Sequence, residues 1–140
     1  LEGAVVATDS LAKKYLLHTA RTFVFSTAPV PAIAHAALEA IRIAQTMDAE
    51  RQQIHAVAQQ IRTGAAALGY PTGKSVSHVI PLLCESEAAA LSAAEALVKA
   101  GYHVKAIRPP TVKQSRLRIS VNAGIDKMVA AGFLKGLAGC

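Results

Sequence analysis

The hydrophobic pattern after residue 30 changes period several times, and the order of those periods constrains the fold most strongly. From Pro31 to Gly69 the apolar residues follow helical spacing, which predicts either an antiparallel pair of helices or one bent helix, with Asp48 as the break or a second N-cap. There follow a strand-like run at 78–84, a helix that Ser86 caps and that runs through Ala100, strand-like runs at 103–108 and 116–121, and a helix at 125–137. This order predicts an α+β fold with helices packed on one face of a small, mostly antiparallel sheet.

The first 28 residues show a different pattern. "GAVVAT" at 3–8 and "TFVFST" at 22–27 have strand composition, and Asp9 or Ser10 is placed to cap a helix over 11–20. This opening predicts strand, helix, strand. Because prolines then interrupt the backbone donors before the long helices begin, we place a domain boundary after Ala28, which gives domains 1–28 and 29–140.

Composition limits what the core can contain. Of 140 residues, 52% are apolar but only 4% are aromatic, and Trp is absent. The core must therefore consist mainly of closely packed Ala, Val, Ile and Leu side chains. Gly132 and Gly136 weaken the last helix, because glycine has a low helix propensity.

The net charge of +6 favours anionic partners. The basic residues are scattered, with no run of five and no interleaved aromatics, so binding to nucleic acid ranks last and is not expected. Cys84 and Cys140 lie far apart in sequence and the five histidines lack ligand spacing, which indicates neither a disulfide framework nor a metal site. We expect a reducing cytoplasmic location, no membrane span and no signal peptide. A start at Leu1 without Met indicates a piece of a longer protein.

Arg116 and Arg118 are candidate anion-binding residues. Positions two apart in a strand point to the same face, so both guanidinium groups project together while Leu117 and Ile119 face the core. One interpretation is the solvated face of a half-buried sheet. The other is a clamp for a carboxylate or phosphate, to which Arg108 also belongs.

Ser26 and Thr27 are a second candidate. Two hydroxyl groups at a turn before a helix can donate to phosphate oxygens. The alternative is a Ser-Thr turn that satisfies only local backbone groups.

"FVFSTAPVP" (23–31), "HVIPLL" (78–83) and "AIRPPTV…RLRIS" (106–120) resemble, in order and spacing, the C-terminal part of the α-oxoamine synthases. These are pyridoxal-phosphate enzymes of the class-II aminotransferase type, and the resemblance runs from about Gly3 to about Leu137. It implies that 1–28 is the end of the large cofactor-binding domain. Residues 29–140 would form the small C-terminal domain of this transferase fold.

The resemblance also implies a reaction and a set of roles. The family condenses an amino acid with an acyl thioester and releases CO2. Arg118 would hold the substrate carboxylate with Arg108 as a further substrate contact, and Arg116 would be structural. Ser26 and Thr27 would reach the cofactor phosphate of the neighbouring subunit in a homodimer.

Arg-Pro-Pro-Thr-Val is most similar to the family member of biotin synthesis, which joins L-alanine to a pimeloyl thioester of CoA or acyl carrier protein. The alternatives are a sister enzyme of the glycine or serine C-acyltransferase type, or a non-catalytic α+β module that binds a carboxylate. The connection between Val112 and Arg116 is shorter than in the family pattern.

The lysine that anchors the cofactor in this family is expected upstream of Leu1. Lys13 and Lys14 lie in the first helix and do not match it. We therefore expect no catalytic residue in this chain, which alone would be inactive.

Overall fold

The computed structural model describes residues 5–140, which form two compact units that divide between Met47 and Asp48. Within residues 5–47 the helices are α1 (Ser10–Thr19), α2 (Arg21–Val24) and α3 (Pro31–Gln45). The second unit contains α4 (Asp48–Ala67), β1 (Val79–Leu83), α5 (Glu87–Lys99), β2 (Lys105–Ile107), β3 (Arg116–Ser120) and α6 (Lys127–Ala138). The domain boundary after Ala28 concerns the longer protein and stays a prediction.

Side-chain caps fix the starts of the helices at the residues the sequence indicates. Asp9 Oδ1 accepts hydrogen bonds from the backbone N–H groups of Leu11 and Ala12, at 2.9 and 2.8 Å, which starts α1. Ser86 Oγ accepts from the Ala89 N–H at 3.0 Å and starts α5. Each cap satisfies backbone donors that have no partner inside the helix, so both predicted starts are confirmed.

The strand predicted at 22–27 is wrong. Residues 21–24 form the short helix α2, in which the Phe25 N–H donates to the Arg21 carbonyl oxygen at 3.0 Å. A strand needs a neighbouring strand for its backbone groups, and residues 5–47 contain none. Of the other predicted strand, Gly3 and Ala4 lie outside the described residues, and residues 5–9 have no regular secondary structure.

The second unit contains an antiparallel sheet in the order β1-β3-β2, so β3 is its central strand. Leu117 lies opposite Leu82 of β1 and Ala106 of β2. Ile80, Leu82, Leu117 and Ile119 alternate with more exposed residues and are buried against helices. This sheet with helices on one face confirms the α+β prediction.

The core of the second unit is aliphatic, as the composition predicts. The helices contribute small and medium aliphatic side chains to this core, together with one aromatic side chain, Phe133. The buried helical residues are Val57, Ala58, Ile61 and Ala65 of α4, Ala90, Ala93 and Leu97 of α5, and Ala130, Phe133 and Leu137 of α6. Gly101, with a φ of 90°, ends the turn after α5 in the left-handed region that glycine favours.

Candidate functional site

The two arginines of β3 lie on the face of the sheet that the core does not use. Their neighbours Leu117 and Ile119 are buried, and Arg118 is exposed while Arg116 is partly buried. Since cross-strand partners share a face, Arg118 has Pro81 of β1 on one side and Lys105 of β2 on the other. We call this surface the open face of the sheet.

Arg116 and Arg118 differ in what their side chains contact. Arg116 Nε donates a hydrogen bond to the Gln114 carbonyl oxygen at 3.0 Å and so braces the chain before β3. The Arg118 guanidinium has no hydrogen bond or ion pair to any described residue. A guanidinium carries five N–H donors, and two of them can bind a carboxylate in a bidentate arrangement. Since Arg118 has no partner among the described residues, these donors are available to an anion.

Arg108 does not lie with this pair. Its guanidinium forms an ion pair with Glu87, in the first turn of α5, and its side chain borders the groove between α5 and β2. Both partners are about half exposed, so the pair is screened by solvent. The structure therefore brings together Arg116 and Arg118 but not Arg108.

Ser26 and Thr27 lie in the segment that joins α2 to α3. Ser26 Oγ donates to the Phe23 carbonyl oxygen across a long 3.4 Å, and the Thr27 hydroxyl has no partner among the described residues. Both side chains are exposed, and no side chain caps the start of α3 at Val30. These hydroxyl groups are thus available as donors.

A family model, aminotransferase class I and II, matches residues 1–137. The chain belongs to this family. The match covers both the hydroxyl pair and the arginine strand.

Relatives within the aminotransferase family include two 8-amino-7-oxononanoate synthases. The one from Anaeromyxobacter dehalogenans (strain 2CP-C) is 41% identical over 138 residues, which cover 97% of this chain and 35% of that protein. The one from Methylococcus capsulatus (strain Bath) is 36% identical over 138 residues, which cover 97% of this chain and 36% of that protein. The chain spans about a third of the length of these relatives.

Solved structures of the family agree with this fold. The chain superposes on 8-amino-7-oxononanoate synthase from Francisella tularensis with a TM-score of 0.78 at 20% identity, over 94% of this chain and 39% of the other. Serine palmitoyltransferase from Sphingomonas wittichii gives 0.81 at 22% identity, over 93% and 34%. These likenesses confirm the predicted transferase-type fold.

The aminotransferase family implies a pyridoxal-phosphate cofactor, and the exposed hydroxyl pair fits part of it. A phosphate group needs several hydrogen-bond donors, and the Ser26 and Thr27 hydroxyls are within one segment beside a helix start. Neither hydroxyl is taken by a short hydrogen bond. The donor set therefore suits the phosphate end of the cofactor.

The cysteines share a cavity that the sequence analysis missed. A cavity of about 250 Å³ is lined by Cys84, Cys140 and Tyr70, among others. Burial raises the pKa of both thiols above the ordinary value. Burial also raises the pKa of Tyr70, and charge on either neighbouring cysteine would add to this effect. The thiols stay protonated at neutral pH, which disfavours a role as nucleophiles.

Lys105 is the other residue that sequence reasoning did not single out. The strand predicted at 103–108 contains it, but only the pairing register places it opposite Arg118.

No helix within residues 5–140 combines the length and the hydropathy needed to cross a membrane.

Proposed function

We propose that this chain is the C-terminal part of an 8-amino-7-oxononanoate synthase that joins L-alanine to a pimeloyl thioester and releases CO2. The observation that carries the proposal is the 41% identity to a synthase of that name along 97% of this chain. The free guanidinium of Arg118 on the open face supports it, because a decarboxylating enzyme must first hold a carboxylate.

Arg118 holds the carboxylate of the amino acid in this proposal. Its planar guanidinium offers two parallel N–H donors, which fix the orientation of a carboxylate as well as its position. β3 is hydrogen bonded on both edges, so the backbone under Arg118 is held by β1 and β2. A carboxylate bound there is presented in one orientation relative to the rest of the substrate.

Ser26 and Thr27 hold the phosphate end of pyridoxal phosphate, across the interface of a homodimer. When bound, this cofactor supplies an electron sink that stabilises negative charge at the α-carbon of an amino acid. The part of this chain in the proposal is to bind and orient the cofactor and the substrate. The proposed location is the cytoplasm.

Arg108 enters the proposal as a second substrate contact. Its guanidinium is paired with Glu87 through one terminal nitrogen, so a substrate carboxylate competes with that ion pair. The pair is half exposed, and such pairs contribute only about 0–1 kcal/mol. Competition with Glu87 therefore carries a small free-energy cost.

The role of Arg118 is tested by Arg118→Gln in the full-length parent enzyme. We expect the KM for L-alanine to rise about 10- to 100-fold, because hydrogen bonds to a charged group contribute about 1.5–3 kcal/mol. The KM for the pimeloyl thioester should change much less. Steady-state kinetics with each substrate varied in turn provides the measurement.

Arg42→Gln is the matched control, since Arg42 is exposed and pairs with Glu39 in α3. It should leave both KM values unchanged. An unchanged KM for L-alanine in Arg118→Gln contradicts the assignment. Faster turnover of glycine or serine than of L-alanine by the wild-type enzyme would instead favour a sister acyltransferase.

A further inference from the structure

Lys105 lies directly opposite Arg118 across the β2–β3 ladder. The two residues are Cα partners in the antiparallel register, and both are exposed. Side chains paired in this way share a face, and their Cβ atoms are about 5 Å apart. The open face therefore carries Lys105 and Arg118 at directly opposite positions, with Arg116 as a third cationic residue on β3.

The described strands of this sheet carry no acidic residue, and Glu95 of α5, which lines a groove together with Lys105, forms no ion pair with it. The other open-face positions of the described strands hold Arg116, Ser120 or apolar residues, namely Val79, Pro81, Leu83 and Ile107. Neither the Lys105 ammonium nor the Arg118 guanidinium has a side-chain partner among the described residues. By contrast, Arg42 and Arg108 each pair with a glutamate.

Like charges placed directly opposite each other destabilise a strand pair. An anion bound between them removes that repulsion and gains attraction from both. A carboxylate has about four lone-pair positions, of which a guanidinium fork uses two, so an ammonium can donate to a third. The chemistry of one carboxylate thus matches both cations at once.

We propose that Lys105 is a second carboxylate-binding residue, which contacts the same carboxylate that Arg118 holds. The inference rests on the proposed role of Arg118 and extends it. Lys105 raises the affinity and the preference of the site for a charged carboxylate over a neutral amide. β2 is an edge strand, and an edge lysine can also serve to deter pairing between molecules. That other role does not depend on a ligand.

The experiment uses the 140-residue chain, with propionate as the probe and propionamide as its neutral counterpart. Binding is followed by NMR chemical shifts of backbone amides at constant ionic strength. We expect propionate to shift residues of β2 and β3, and Lys105→Gln to weaken its affinity about three- to fivefold, the size of one unit-charge interaction near 5 Å in water. Propionamide should shift neither strand. Lys105→Arg should restore the affinity for propionate. If Lys105 only protects the sheet edge, Lys105→Gln would leave the affinity for propionate unchanged.

The controls separate this inference from the proposed function. Lys113→Gln removes an exposed lysine from the connection between β2 and β3 and should leave the affinity unchanged. Equal propionate affinity in wild type and Lys105→Gln overturns the inference, and if Arg118→Gln still abolishes binding, the role of Arg118 stands. If Arg118→Gln also binds propionate like wild type, both the inference and the proposed carboxylate site are overturned.

Discussion

Gly132 lies on α6 where a side chain would meet Tyr102. A Cβ built at Gly132 overlaps the Tyr102 hydroxyl, while the next nearest atom, Tyr102 Cζ, is at an ordinary 3.7 Å. The tyrosine ring is fixed by an edge-on contact with Phe133, with ring centroids 5.7 Å apart. Gly132 lowers the helix propensity of α6, but the packing against Tyr102 requires a residue without a side chain there.

We expect Gly132→Ala to lower the free energy of unfolding by about 1–3 kcal/mol, because the new methyl group overpacks the contact. In a Tyr102→Phe background the hydroxyl is absent, and the same change should raise the free energy of unfolding by up to about 1 kcal/mol through helix propensity. Urea unfolding of the four proteins measures both effects. An equal loss in both backgrounds would contradict this explanation.

At the scale of helices and strands, the sequence predicts features that depend on neighbouring residues better than contacts between distant residues. Asp9, Ser86 and the alternation around Leu117 act within a few residues, so the sequence predicts them. The ion pair between Arg108 and Glu87 joins residues 21 apart, and the pairing of Lys105 with Arg118 depends on strand register. Such long-range choices depend on the folded chain and have no local pattern.

The error at α2 has the same origin. Residues 22–27 have the composition of a strand, but a strand forms only when a partner supplies its hydrogen bonds. Residues 5–47 offer no such partner, and the backbone closes its own helical bonds instead. Strand propensity is therefore a weaker predictor than a capping pattern, whose partner is always present in the local sequence.

Helix α6 provides a test of capping. Asp126 Oδ1 accepts hydrogen bonds from the N–H groups of Met128 and Val129, both at 2.8 Å. We expect Asp126→Ala to lower the free energy of unfolding by about 0.5–2 kcal/mol, because these donors lose their acceptor. Asp126→Asn retains an acceptor and should lose much less. Urea unfolding compares them, and equal losses would show that charge rather than capping matters.

Across the whole molecule, burial is uneven. Every buried apolar side chain of the described residues lies between Val57 and Leu137. Residues 5–47 contain no buried side chain, and they expose large apolar groups such as Tyr15, Phe23 and Phe25. Exposed apolar groups at this density favour association with other molecules.

We expect residues 48–140 to fold without the first unit. Their free energy of unfolding in urea should lie within about 1 kcal/mol of that of the same transition in the whole chain, since the buried core is intact. Sedimentation should show concentration-dependent association for the 140-residue chain but not for residues 48–140. An unfolded 48–140 fragment, or equal association of both proteins, would contradict this prediction.

Because β3 is the central strand of the sheet, the connection over residues 108–115 can vary while the position of Arg118 stays fixed. Two ladders hold the strand, so the place of the guanidinium at Arg118 does not depend on the connection over residues 108–115. In the proposed site, insertions or deletions in that connection would reshape the surroundings of the bound carboxylate while Arg118 keeps its position. Under the proposed function, a change in loop length alone would alter acyl-group preference without loss of amino-acid recognition.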